Sequence, residues 1–457
     1  MDCDYWHERL VALATLHQVP GASLALMQVR PEAAPEVMTC AHGVLSLATG
    51  VPTTPDSLFQ IGSITKVWTA GLVMQLVEEH QIDLDAPIRE LLPELALLDD
   101  EATRSVTMRQ LLNHTSGIDG DLFIDTGRGD DALQRYVARL SAVGQLHRPG
   151  DGWSYCNVGY SIAGRVVEVL TGLTFEKAMH ERVIEPLHLK HTVMLPEDAI
   201  LHRAAVGHVG PSGADLRPTP QWMLSRAIGP AGLICASASD VLTWSRSTMA
   251  PWARGDVPAL LSEESLEEMT REQARLPKGA TDSNTWGLGW KHFDWDGHRV
   301  LGHDGQTIGQ TAFLRVLPTH GFAFALLTNG GNTGDLYEQL CREVFNEVCA
   351  VVMPERVPSG FKPRGADQYV GTYERAGERL EVVHKNGGLV LRQIDLNPYE
   401  WLDPAPPLET EIRQLSHDLF VVRPTGTQTN VPLIFTTFDD RQVLSHGHRA
   451  FLRVVAT

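Results

Sequence analysis

The sequence predicts an α+β chain in two parts. Residues 1–355 form a large domain whose antiparallel sheet is assembled from both of its ends around a helical insert. Residues 366–457 form a small all-β domain, joined through a linker at 356–365. Three observations carry this. Strand-like runs open the chain and return only near residue 300, while helix-period patterns fill the interval. Val357-Pro358-Ser359-Gly360-Phe361-Lys362-Pro363-Arg364-Gly365 has linker composition, and beyond it short β runs alternate with turns. At 457 residues and 43% hydrophobic, the chain is also too long for one ordinary core.

Taken in order, residues 6–17 place Leu10, Leu13 and Leu16 on one side of a helix that Pro20-Gly21 ends. Strands follow at 22–29 and 37–47, and a short alternating strand at 56–61. Val67, Leu72, Val73, Leu76 and Val77 then recur with helical period to Glu79. Residues 84–98 read as short helices and turns, and 106–117 as a helix closed by Gly117. An acidic loop at 119–131 leads into a helix at 131–143. The Pro149-Gly150-Asp151-Gly152 turn precedes helices at 161–170 and 175–183. Residues 204–226 are loop-rich, 229–233 a turn, and 239–249 helical. Strands at 300–303, 311–317 and 322–329 and a helix at 335–352 complete the large domain. Six short strands, at 369–373, 380–384, 389–392, 419–422, 431–436 and 451–455, predict a small barrel or sandwich.

Ser63 falls at the first turn of the long helix, and Lys66 one turn later on the same face. A hydroxyl and an amine held this way can exchange a proton, and the helix N-terminus favours developing negative charge. Alone, Ser-x-x-Lys is equally a helix cap with a solvated lysine. Tyr155-Cys156-Asn157 and His303-Asp304-Gly305 are each ordinary turn sequences. Their order and setting give them weight: a helix-start Ser-x-x-Lys, a Tyr-x-Asn in the helical insert, and a His-x-Gly on a late strand.

In these motifs the chain resembles the serine β-lactamase and penicillin-binding-protein family, on its class C β-lactamase, esterase and D-aminopeptidase side, over about residues 8–352. Leu111-Leu112-Asn113-His114-Thr115-Ser116-Gly117, Pro149-Gly150 and Gly229-Pro230-Ala231-Gly232-Leu233 leading to Ser239-Asp240 support the resemblance. It implies that Ser63 Oγ forms an acyl-enzyme, with Lys66 or Tyr155 as its base and Asn157 bonding Lys66 and a substrate amide. It further implies an oxyanion hole from the Ser63 and Gln306 backbone N–H groups, with Gly305 and His303 touching substrate. His303 stands where β-lactamases carry the lysine of Lys-Thr-Gly, and a neutral imidazole grips a carboxylate less strongly. A narrower resemblance is to the penicillin-binding-protein-type thioesterases of nonribosomal peptide assembly, which carry a lipocalin-like C-terminal domain. It implies a peptidyl thioester substrate, free or on a carrier protein, held as a peptidyl-Ser63 ester and cyclised by its own N-terminal amine. An intracellular esterase or D-aminopeptidase is the alternative, and a catalytically silent sensor or scaffold a third reading.

Composition narrows the rest. A net charge of −18, from 38 basic and 56 acidic residues, disfavours nucleic acid and anionic membrane as partners. Met1-Asp2-Cys3-Asp4-Tyr5-Trp6-His7-Glu8 has no signal-peptide pattern, so a cytoplasmic protein is expected, and β-lactam hydrolysis and wall carboxypeptidase activity rank lower. The six cysteines are widely spaced and imply reduced thiols. No metal or cofactor is expected: His188, His191, His446 and His448 lack companions at ligand spacing and are read as surface residues. Cys156 is read as packing. Arg128-Gly129-Asp130 matches an adhesion tripeptide by letters only. Asp119, Asp121, Asp125, Asp130 and Asp131 are read first as a solvated loop, and second as an ammonium site. Arg449 and Arg453 are candidates to reach the site from the last domain and read a carboxylate.

Overall fold

The computed structural model describes residues 1–30, 33–210, 215–249, 257–280, 283–355, 366–396, 407–416 and 419–454. The predicted linker at 356–365 lies outside the described residues. The large domain is built on one antiparallel sheet of β1 (Gly21–Gln28), β2 (Glu36–Gly43), β3 (Ala274–Arg275), β4 (Thr285–Trp286), β5 (Lys291–Trp295), β6 (His298–Gln306), β7 (Thr311–Leu317) and β8 (Phe322–Thr328), in the order β2-β1-β8-β7-β6-β5-β4-β3. The β1–β8 pairing joins the two ends of the domain, with Leu24 opposite Leu326 on one side and Cys40 on the other.

Both faces of this sheet are covered, which is why β1 and β8 read as continuous apolar runs rather than alternating ones. Helices α1 (Cys3–Leu16) and α4 (Thr333–Cys349) cover one face through Trp6, Leu10, Leu13, Leu340 and Phe345. The helical insert covers the other. At its centre lies α2 (Thr65–Glu78), buried on every side from Thr65 to Met74, with Trp68 stacked on Trp244 at 4.9 Å. Beside it runs α3 (Asn157–Thr171), capped by Cys156 and ended by Gly172 in the left-handed region.

The expected helix at 106–117 is only Met108–Leu112. The backbone after it is claimed by neighbours: the Leu112, Asn113 and His114 carbonyls accept from Tyr160 Oη, Trp153 Nε1 and the Ser154 N–H. Conversely α3 begins four residues before the expected start, and the turn at 229–233 is a short helix, Gly229–Gly232, with Pro230 in its first turn.

The C-terminal domain is a closed eight-stranded antiparallel barrel, β9 (Gly371–Arg375), β10 (Glu378–Lys385), β11 (Gly388–Asp395), β12 (Leu408–Ser416), β13 (Leu419–Val422), β14 (Val431–Phe438), β15 (Arg441–His446) and β16 (Arg449–Arg453), with neighbours in chain order. Closure decides between the barrel and the sandwich. Its interior is filled by its own Tyr373, Leu391, Phe420, Leu444 and Phe451. The barrel docks on the insert: Val443 and Ala450 pack on Leu146, the Ala450 N–H donates to Ser154 Oγ, and Arg441 donates to the Leu146 carbonyl. No helix among the described residues is long and apolar enough to cross a membrane.

Candidate active site

Ser63 sits in a 3₁₀ turn, Gly62–Ile64, that leads directly into α2. Strand β6 presses against this turn. A Cβ on Gly305 would stand 1.8 Å from the Ile61 carbonyl oxygen and 3.0 Å from the Ser63 nitrogen. Gly62, at φ +53°, has the Gln306 nitrogen 2.5 Å from where its own Cβ would be. Only glycine at both positions lets the Ser63 and Gln306 backbones approach this closely. Gly305→Ala should therefore cut Ser63 acylation by a hundredfold or more, the order expected for losing an oxyanion donor. Labelling by a fluorophosphonate probe measures it, and a near-native rate would contradict it.

Lys66 is fully buried. Its Nζ lies 2.7 Å from Asn157 Oδ1, 2.7 Å from the Ala231 carbonyl oxygen and 3.2 Å from Ser63 Oγ. Burial pushes its pKa well below the ordinary lysine value; the Asp121 carboxylate opposes the shift and the Arg449 guanidinium adds to it. A neutral amine has two N–H groups, which the Asn157 and Ala231 oxygens accept, leaving the lone pair toward Ser63. The Tyr155 ring packs against Nζ, 4.9 Å from centroid to nitrogen. Burial raises the Tyr155 pKa, with the nearby Ser63 hydroxyl and Arg449 pulling the other way, so its hydroxyl stays protonated. That hydroxyl is buried without a completed hydrogen bond among the described residues.

His303 joins them from β6. Its Nδ1 lies 2.6 Å from the Asp304 carbonyl oxygen, which can only accept, so Nδ1 carries the proton and Nε2 is a bare acceptor. Nε2 is buried without a partner and faces the cavity wall that Trp286 shares. Burial, with Lys66 adding to it, holds His303 down at about 3, and burial does the same to His292. Unfolded histidine takes a proton near 6.5, so native stability should fall as pH drops from about 6.5 toward 3. Denaturant midpoints at pH 7 and pH 5 test this; equal midpoints would contradict it.

Ser63, Tyr155, Asn157, His303, Gly305 and Gln306 all line one cavity of about 630 Å³. The barrel supplies part of its wall through the β15–β16 turn, Gly447-His448, and through Arg449 at the start of β16. His448, expected at the surface, lies in this pocket: its carbonyl accepts from the Tyr155 N–H at 2.9 Å, and its Nε2 is 3.1 Å from Lys291 Nζ. Arg449 reaches the site as well, stacking on the Tyr155 ring at 5.1 Å. Arg453 does not; it binds the Val370 and Gln368 carbonyls within the barrel.

The acidic loop divides. Asp121 is buried and joins the site, accepting from Asn157 Nδ2 and from Arg375 and Arg449 of the barrel. Burial would raise its pKa, but the two guanidiniums outweigh burial and hold it well below the carboxylate range. Asp119 accepts from the Ala376 N–H. Asp125 stays exposed, and Asp130 and Asp131 pair with Arg226 and Arg135. The solvated-loop reading thus fails for Asp119 and Asp121, whose partners in the barrel lie more than 250 residues away. His114, named in the sequence only as part of a supporting motif and given no role there, packs 4.3 Å from the Tyr155 ring and accepts the Cys156 N–H on Nδ1. Cys156 is buried, its thiol pushed up to about 12, and its Sγ caps α3 by accepting from Gly159 N–H, in keeping with packing. No cluster of metal-ligating side chains occurs among the described residues.

A sheet closed from both chain ends, a helical insert and a serine–lysine pair at a helix start define a class of serine acyl-transfer folds. The beta-lactamase family model matches residues 9–341, and the chain belongs to that family. It is 43% identical to "Penicillin-binding protein 4" of Amycolatopsis lactamdurans over 380 residues, 82% of this chain and 98% of that one. Among solved structures it is similar to SurE, with a TM-score of 0.73 and 26% identity over 99% of each chain. A second SurE structure, with D-Leu, gives 0.72 and 27% over the same shares. The D-amino acid amidase of Ochrobactrum anthropi SV3 shares the fold, with a TM-score of 0.62 and 22% identity over 76% of this chain and 99% of its own.

Proposed function

We propose that the protein is a serine acyltransferase that takes a peptidyl thioester onto Ser63 and releases it as a head-to-tail macrocycle. The observation that supports this most is likeness to SurE over 99% of both chains, barrel included, together with that protein's structure with D-Leu. Neutral Lys66 takes the Ser63 proton as Oγ attacks the thioester carbonyl. The oxyanion that forms is met by the Ser63 and Gln306 N–H groups. Collapse breaks the C–S bond, and the thiolate leaves with a proton from the Tyr155 hydroxyl, which Lys66 restores. The peptide's amine then attacks the ester, its proton passes to Lys66, and Ser63 Oγ departs protonated through Tyr155. His303 Nε2, as a bare acceptor, suits a substrate N–H better than a carboxylate. Apolar walls at Trp286, Ile308 and Phe313 reduce the water competing with the amine.

The test supplies a peptidyl N-acetylcysteamine thioester ending in a D-residue and separates products by mass. A product lighter than the linear acid by one water supports cyclisation. Linear acid alone, with faster turnover of short esters, replaces this reading with an esterase. Release of N-terminal D-residues from short peptides replaces it with an aminopeptidase.

A further inference from the structure

We propose that Asp121 is a positioning residue through which the C-terminal barrel sets the orientation and charge state of the catalytic lysine. This inference rests on Lys66 serving as the base of Ser63. The chain of contacts is continuous, and buried except at Arg449, whose side chain is 29% exposed. Arg375 in β9 and Arg449 in β16 both donate to Asp121 Oδ2. Asp121 Oδ1 accepts from Asn157 Nδ2, and Asn157 Oδ1 accepts from Lys66 Nζ.

An asparagine amide fits such a place in two orientations, and its neighbours choose between them. A carboxylate on one side and an amine on the other allow only one, with the oxygen toward Lys66. Without the Asp121 charge the amide can turn, presenting its NH₂ to Lys66 and removing one of the two acceptors that aim the lone pair at Ser63. The barrel holds Asp121 in turn, because a carboxylate with a side chain only 7% exposed needs countercharge and Arg375, itself 4% exposed, supplies it. Lys66 is otherwise faced by the Tyr155 and Tyr160 rings, Cys156, His114 and His303. None of these is an anion at neutral pH, so Asp121 is the negative charge in this set. It favours the protonated lysine, and Arg449 favours the neutral one.

Opposite substitutions should therefore move the lysine in opposite directions. The experiment measures kcat/KM against pH for a p-nitrophenyl ester with the full chain, Asp121→Asn and Arg449→Gln. Removing the carboxylate should carry the acid limb of the profile to lower pH by about one unit. Removing the guanidinium should carry it to higher pH by a similar amount. Arg449→Gln leaves Arg375 on Asp121, so it remains informative where Asp121→Asn fails to fold. Activity loss in Arg449→Gln with an unmoved limb assigns a merely structural role and overturns the inference, as do limbs that move the same way in both variants. A wild-type enzyme whose acid limb persists unchanged in Lys66→Arg overturns the lysine-base reading itself, and this inference with it.

Discussion

Replacing Lys66 with methionine should slow acylation of Ser63 about a thousandfold, the scale of a lost general base, while making the folded protein more stable at pH 7. The two effects share one cause. Lys66 is fully buried and its pKa is driven well below its ordinary 10.5, so the folded protein holds this proton less tightly than the unfolded chain does. The unfolded chain binds more protons, and wild-type stability must therefore rise as pH climbs toward 10.5. Methionine has similar length and no such penalty; it forfeits three hydrogen bonds, to Asn157, the Ala231 carbonyl and Ser63, each a smaller contribution. Fluorophosphonate labelling rates and denaturant midpoints at pH 7 and pH 9 check both halves. The pH dependence should flatten in Lys66→Met. A variant within tenfold of wild-type rate, or one clearly less stable at pH 7, would contradict the assignment of Lys66 as a buried neutral base.

The second large effect is on stability. Asp304, next to His303 on β6, bonds Arg315 at 2.6 Å and Lys291 at 3.1 Å. Arg315 has a side chain only 2% exposed, held between the Phe293 and Tyr337 rings at 4.2 and 4.8 Å. Asp304→Ala leaves that guanidinium buried without its countercharge; with the Asp304 side chain itself 36% exposed and screened by solvent, the loss should be about 2 kcal/mol. Arg315→Met in the same background removes the stranded charge, and the double variant should recover much of the loss. Denaturant unfolding of the four proteins in the cycle measures it. Strictly additive losses would show that the pair is not coupled.

The part of the site built from local spacing was legible in the sequence. Ser63 and Lys66 are one helical turn apart, Tyr155 and Asn157 flank a helix start, and His303 and Gly305 lie on one strand, so each pair declares its own geometry. The Asp121 cluster declares nothing. Its ligands Arg375 and Arg449 are 254 and 328 residues away, and an acidic loop looks the same whether it faces water or another domain. His448 was hidden for the same reason: a hairpin tip on a barrel normally meets solvent.

The fold shows a similar division. Sheet strands with long apolar runs were plain. Barrel strand β12 was missed because, of its nine residues, only Ile412 is buried, and β15 because it opens with Arg441 and Gln442. The helix at 106–117 was read too long because Gly117 was taken as its cap, while its backbone carbonyls from Leu112 on are taken by Tyr160, Trp153 and Ser154, partners no local pattern shows.

The most direct measurement is to mix the protein with a peptidyl N-acetylcysteamine thioester, quench in acid within one turnover, and digest for mass spectrometry. The expected result is the peptidyl mass, less the thiol, on the peptide containing Ser63, disappearing as a cyclic product one water lighter than the linear acid accumulates. An unmodified Ser63 peptide during turnover, or an adduct carried elsewhere, would contradict an acyl-enzyme at this serine.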